Sequence, residues 1–271
     1  MKTFEVAIIQ MHVEEDKNKN LQTAYNFIKK VCQQKIDFAI LPEMFCCPYQ
    51  TSNFPLYAEN ENGEAYSFLS NIAKEFRIYL VAGSIPEKDN EGNIYNTSYV
   101  FDRHGNQIAK HRKVHLFDIQ IDGGQHFKES DTLSPGNEVT VFDTEYGKIG
   151  LNICYDFRFP ELSRKMVDKG AKAIITPAAF NMTTGPLHWE IIFRSRAIDN
   201  QVYTIGCAPS RDNSASYISY ANSIVVSPFG KIIDRMDERE GFIVTTIDFD
   251  YVDKVRNELP LLNHRRNEIY I

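Results

Sequence analysis

Three short apolar runs, Phe4–Gln10, Asp37–Leu41 and Ile78–Ile85, are separated by two segments with helical spacing. No other feature constrains the fold as much. In Asn18–Gln33 the apolar residues Leu21, Ala24, Tyr25, Phe27, Ile28 and Val31 fall at helical intervals, and Gly63–Phe76 has the same period. The β-α-β-α-β order predicts helices packed on a sheet.

The rest of the chain turns on hairpins. Tyr99–Asp102 and Gln107–Lys110 flank Arg103-His104-Gly105-Asn106, with Gly and Asn at the turn. Ile224–Pro228 and Lys231–Asp234 flank Phe229-Gly230 in the same way, and Val139–Thr144 and Lys148–Ile153 flank Glu145–Gly147. Two hairpin-bearing halves, each with strand–helix units, predict two mixed sheets packed face to face with helices outside. No linker or low-complexity stretch interrupts the 271 residues, so one domain over 1–271 is expected, and 43% hydrophobic residues are enough to fill its core.

Several function classes are excluded at this level. A net charge of −6, with only a short basic run at Lys110–Lys113, gives no reason to bind nucleic acid. The N-terminal MKTFEVAIIQ lacks the apolar core and cleavage site of a signal peptide. No stretch approaches the ~20 apolar residues of a membrane span, so no membrane partner is expected. The five cysteines have no framework spacing, which suits a reduced, cytoplasmic setting. Without a CxxC pair or HExxH, no metal site is expected, and no cofactor is implied.

Cys154 stands where the strand-like Lys148–Ile153 gives way to a helix announced by Pro160. Such a junction exposes a side chain on a rigid frame and offers unpaired backbone amides. The local pattern admits two readings, a packed core thiol or a nucleophile. Cys32, Cys46, Cys47 and Cys207 lack that setting and are read as packing residues. Glu43 directly follows a buried strand, where an apolar setting would raise its pKa and suit it to proton transfer; taken alone, it reads first as a surface acid at a strand end. Lys113 closes a basic run before an apolar pair and by itself reads as a solvated charge.

Three segments stand in order: LPEMF with Glu43, HRKVHLFD with Lys113, and ICYDFRFPEL with Cys154. Together they resemble the nitrilase superfamily of carbon–nitrogen hydrolases over essentially the whole chain. The resemblance implies an α+β fold, a four-layer αββα sandwich of two mixed β-sheets with outer helices. It also implies a Glu–Lys–Cys triad and a homodimer. Residues 126–130, 133–136, 180–190 and 196–201 resemble the omega-amidases more closely. Those enzymes hydrolyse the side-chain amide of 2-oxoglutaramate and 2-oxosuccinamate to the 2-oxo acid and ammonia. Two departures stand out, Cys47-Pro48-Tyr49 after the Glu43 strand and His111 where Tyr is common.

The resemblance assigns roles residue by residue. Cys154 is the expected nucleophile, Glu43 the proton carrier, and Lys113 the oxyanion support together with the Tyr155 backbone N–H. Glu129 matches an auxiliary glutamate that orients Lys113 or the substrate amide. Arg158 and Phe180 match residues at the acid end of the substrate, with an ion pair to Asp156 or Glu161 as the alternative for Arg158. Tyr49 is expected to close the pocket on a small-molecule amide substrate. The same triad also suits a nitrile, a carbamoyl amino acid or deaminated glutathione, and an inactive binding protein is the non-enzymatic alternative.

Overall fold

The computed structural model describes residues 3–121 and 126–270. The first part of the chain runs β1 (Thr3–Gln10), α1 (Lys17–Val31), β2 (Phe38–Ile40), α2 (Phe54–Tyr57), β3 (Glu59–Asn60), α3 (Glu64–Phe76), β4 (Tyr79–Val81), β5 (Ile85–Lys88), β6 (Ile94–Phe101) and β7 (Gln107–Arg112). A small hairpin follows, β8 (Asp118–Gln120) with β9 (His126–Lys128). The remainder runs β10 (Thr140–Thr144), β11 (Gly147–Leu151), α4 (Pro160–Asp168), β12 (Ala173–Pro177), α5 (Gly185–Asn200), β13 (Tyr203–Cys207), β14 (Ile224–Val226), β15 (Ile232–Arg235), β16 (Gly241–Asp248) and α6 (Phe249–Glu258).

Two mixed sheets result. The eight-stranded sheet has the order β16-β1-β2-β4-β6-β5-β3, with β7 also paired to β6; the six-stranded sheet runs in order from β10 to β15. Along β1 the side chains alternate between two cores. Phe4, Val6 and Ile8 meet Ile149, Leu151, Ile175 and Ile205 of the other sheet. Ala7 and Ile9 turn the other way, against Leu21, Ala24 and Ile28 of α1 and Leu69 and Ile72 of α3. On the far side, Leu162 and Met166 of α4 and Trp189 and Phe193 of α5 cover Ile174, Ile224 and Val226. The layers are therefore helix, sheet, sheet, helix, as expected. Each fully buried Leu, Ile or Phe adds about 1.5–3 kcal/mol relative to exposure.

One expected strand is divided. The apolar run Ile78–Ile85 splits into β4 and β5, because Gly83 adopts φ +49° between them. A Cβ at Gly83 would stand 2.2 Å from the Pro42 carbonyl oxygen, so the chain of the Glu43 turn passes where a side chain would be. The hairpin at Asp102–Asn106 and the start of α4 at Pro160 lie where the sequence places them.

Candidate active site

Glu43 lies on a sharp turn after β2. Met44 has φ 51°, and its amide donates to Ser84 Oγ at 3.0 Å. The Gly83–Ser84 break in the sheet thus holds the turn that carries Glu43. Lys113 follows the end of β7; its amide donates to the Asn96 carbonyl at 2.8 Å, and its carbonyl accepts from the Gly136 amide at 2.8 Å. Glu129 opens a single 3-10 turn after β9, and its Oε2 accepts from the Phe117 amide at 2.7 Å. Cys154 opens the 3-10 turn Cys154–Arg158 between β11 and α4 with φ 47°, in the left-handed region. A residue with a Cβ held there stores about 1–3 kcal/mol of strain, which the surrounding contacts must offset.

These side chains converge. Lys113 Nζ donates to Glu43 Oε1 at 3.0 Å and to Glu129 Oε1 at 2.9 Å. Glu43 Oε1 also accepts from Asn96 Nδ2 at 2.8 Å, and its Oε2 accepts from the Ala179 amide at 2.8 Å. The Cys154 thiol lies close enough to feel the charge of the same carboxylate. The Tyr49 hydroxyl lies 2.6 Å from Glu129 Oε1, 3.0 Å from Glu43 Oε1 and 3.3 Å from Lys113 Nζ. Tyr49, expected to close the pocket, thus has its hydroxyl inside the charged cluster.

Glu43 is 1% exposed, and Lys113 and Glu129 are 0% exposed, so these groups must satisfy one another rather than water. Burial raises the pKa of Glu43, and Glu129 adds to the rise against the opposing pull of Lys113. Burial disfavours the Lys113 ammonium, but Glu129 and Glu43 outweigh it and hold its pKa above the ordinary value. Burial, and then the Glu43 charge, push the Cys154 thiol well up. At rest the set therefore pairs a neutral thiol with a basic carboxylate and a fixed cation. That combination suits proton transfer coupled to nucleophilic attack.

A second buried carboxylate ties the two halves of the site together. Asp156 Oδ2 contacts His111 Nε2 at 2.9 Å, and Oδ1 contacts His115 Nδ1 at 2.8 Å. The amides of Val114, His115 and Ile153 also donate to it, at 3.1, 2.8 and 3.2 Å. His111 completes its bonding with Thr140 Oγ1 at 2.9 Å, and His115 stacks on Phe159. His111 is therefore more than a flank to Lys113, because it anchors that segment to the Cys154 turn.

Arg158 meets neither Asp156 nor Glu161, the acids considered for it. Asp156 is already committed to the two histidines. Arg158 instead contacts His188 Nδ1 at 2.9 Å and Thr184 Oγ1 at 3.0 Å, with its guanidinium 4.4 Å from the centre of the Phe180 ring. Among the described residues it has no carboxylate partner, and its partial burial lowers its pKa. The Tyr155 ring centre lies 5.8 Å from the same guanidinium.

A cavity of about 530 Å³ opens onto the cluster; Glu43, Tyr49, Ala179 and Tyr217 border it. Sequence reasoning missed Asn96, Ala179 and Tyr217, and placed Thr184 and His188 in the omega-amidase-like segment without a role of their own. Asn96 reaches Glu43 from β6 and Ala179 from the segment just after β12, and no local pattern marks them. Cys46, Cys47 and Cys207 are buried packing residues, as expected; burial raises the Cys46 thiol to about 12. Among the described residues, no group of three or more His, Cys, Asp or Glu side chains is placed to hold a metal ion, and no helix is long and apolar enough to cross a membrane.

A two-sheet sandwich with Glu, Lys and Cys converging from separate strands defines a class of enzyme. Residues 5–257 match the carbon–nitrogen hydrolase family model, and the chain belongs to that family, within the nitrilase superfamily. The omega-amidase NIT2 of Xenopus tropicalis is 45% identical over 270 residues, covering 100% of this chain and 98% of that protein. The human omega-amidase NIT2 is 43% identical over the same length, with 100% and 98% coverage. The crystal structure of Saccharomyces cerevisiae Nit3 superposes with a TM-score of 0.90 at 44% identity, covering 97% of each chain. The protein is thus an omega-amidase-like, amide-hydrolysing enzyme.

Proposed function

We propose that the protein cleaves the side-chain amide of short 2-oxo dicarboxylic monoamides, of the 2-oxoglutaramate and 2-oxosuccinamate type. The observation that carries this choice is Arg158, a half-buried guanidinium four residues after Cys154 with no acid of its own among the described residues. A substrate carboxylate supplies the missing partner through paired hydrogen bonds, with the Phe180 ring beneath it.

In this reading residues 1–271 act as one hydrolase domain. Cys154 sulfur bonds to the amide carbon, the carbonyl π electrons move to oxygen, and the thiol proton passes to Glu43. Lys113 and the Tyr155 backbone N–H stabilise the oxyanion; one such donor is worth about 3–4 kcal/mol. The C–N bond then breaks as Glu43 returns the proton to nitrogen, leaving ammonia and a thioester. Water attacks the thioester, Glu43 takes its proton, and collapse restores the thiol. Glu129 holds Lys113 in place throughout. Tyr49 and Tyr217 border the space above the cluster.

A second copy of the chain fits the exposed apolar face of α5. Leu187, Ile191 and Ile198 share one stripe of that helix, and Phe229 stands beside it on the β14–β15 turn. The five unpaired cysteines agree with a cytoplasmic setting.

The test is ammonia release on a panel of 2-oxoglutaramate, 2-oxosuccinamate, simple nitriles, carbamoyl amino acids and deaminated glutathione. Turnover is expected chiefly with the first two, and activity confined to another member would overturn the substrate assignment. Full ammonia release by Cys154→Ala would remove the catalytic reading altogether.

A further inference from the structure

Lys113 has three ammonium protons, and the structure accounts for all of them. Two point at carboxylate oxygens, Glu43 Oε1 at 3.0 Å and Glu129 Oε1 at 2.9 Å, and the third points at the Tyr49 hydroxyl at 3.3 Å. No proton is left over for a substrate oxygen. If Lys113 supports the oxyanion, one of these contacts must be exchanged. The Tyr49 contact is the longest, and the only one made to a neutral acceptor.

The hydroxyl itself has one proton and two carboxylate neighbours, Glu129 Oε1 at 2.6 Å and Glu43 Oε1 at 3.0 Å. It can donate to only one of them at a time. While Glu43 is ionised, either donation is favourable. Once Glu43 has taken the thiol proton it needs fewer donors, and the phenol proton settles on Glu129. Tyr49 can therefore follow the charge without moving its ring, which is held by Tyr217, Phe127 and Phe54 at centroid distances of 4.6, 5.6 and 5.6 Å.

We propose that Tyr49 is a positioning residue of the hydrolysis: its oxygen holds the third proton of Lys113 at rest and releases it to the substrate oxyanion. This rests on the Glu43–Lys113–Cys154 chemistry proposed above. It replaces the expectation that Tyr49 acts mainly by closing the pocket. The ionisable groups facing the hydroxyl are Glu129, Glu43, Cys154 and Tyr217, with Lys113.

Tyr49→Phe keeps the ring and its packing and deletes only the oxygen. Steady-state kinetics on 2-oxoglutaramate across pH are measured for this variant and the parent, with thermal melting to establish that both are folded. The expected result is a fall in kcat of roughly tenfold to a hundredfold, because without that oxygen the third ammonium proton is no longer held in line for the oxyanion. KM should stay within about twofold, because no substrate contact is lost. The acid limb of kcat/KM should also move to higher pH, because ionised Glu43 loses a donor. A raised KM with unchanged kcat, no change in either constant, or a lower kcat with an unmoved acid limb would each overturn the proposal. Cys154→Ala separates the two levels. If it keeps ammonia release, the underlying chemistry is wrong; if it is inert while Tyr49→Phe matches the parent, only the Tyr49 role is lost.

Discussion

His111 Nε2 and Asp156 Oδ2 meet at 2.9 Å in full burial, joining β7 of one sheet to the turn after β11 of the other. Asp156 lies two residues beyond Cys154, and His111 two residues before Lys113. One carboxylate therefore ties the turn that carries Cys154 to the segment that carries Lys113. Burial alone would raise its pKa, but hydrogen bonds from His111 and His115 hold it far below the usual carboxylate range.

Asp156→Asn should lower stability by about 3–5 kcal/mol, the usual cost of breaking a buried charged network. The sign with pH follows from the depressed pKa. The stabilisation is fully present above the unfolded-state value of about 3.9 and is lost as pH falls through the folded-state value. The parent should therefore weaken steadily below about pH 4 by a contribution that the variant lacks. Urea midpoints at neutral and acidic pH measure both effects, and an unchanged neutral midpoint would sink the clamp.

Glu129→Gln should move the acid limb of kcat/KM to lower pH. Burial is the main reason for the raised pKa of Glu43, but the Glu129 charge adds to it, so removing that charge lets Glu43 ionise more readily. The rate should fall as well, because Lys113 loses a charged partner at 2.9 Å. A pH–rate profile shows both, and an acid limb displaced upward would contradict this account.

Arg158→Ala should raise KM for 2-oxo acid amides by roughly tenfold to a hundredfold and leave uncharged amides nearly unaffected. Side-by-side kinetics on the two classes decide the matter. Equal losses on both would return Arg158 to a scaffolding part with Thr184.

Leu187→Glu combined with Ile191→Glu should give a folded monomer, since both side chains are exposed in the single chain. Light scattering reads the mass directly. A dimer that survives both changes would place the contact elsewhere.

Much of the layer order is legible in the sequence because each layer has its own period: short apolar runs for the sheets, and Leu21, Ala24 and Ile28 for a helix face. The division at Gly83 is not legible, because its neighbours are as apolar and as buried as a strand. At the site, the strand-end places of Cys154 and Glu43 each admit a plain structural reading, and those two residues and Lys113 stand out only as three spaced motifs taken together. Asn96 and Ala179 do not, since they come to Glu43 through tertiary pairing rather than through spacing. The alternative partners for Arg158 failed for a related reason. Asp156 is near it in sequence, but two histidines and three amides had already taken its lone pairs.

The groups proposed to react come from opposite leaves of the sandwich: Glu43 and Lys113 from the larger sheet, Cys154 from the smaller. Turnover is therefore a gauge of how the leaves are aligned. A slip of about one ångström between them would leave every strand intact and every helix folded, yet can cost on the order of a hundredfold in rate. Ammonia release should then fade on heating or in mild denaturant before circular dichroism records any loss of structure, and a ligand that contacts both Arg158 and Lys113 should bolt the leaves together and delay that fading.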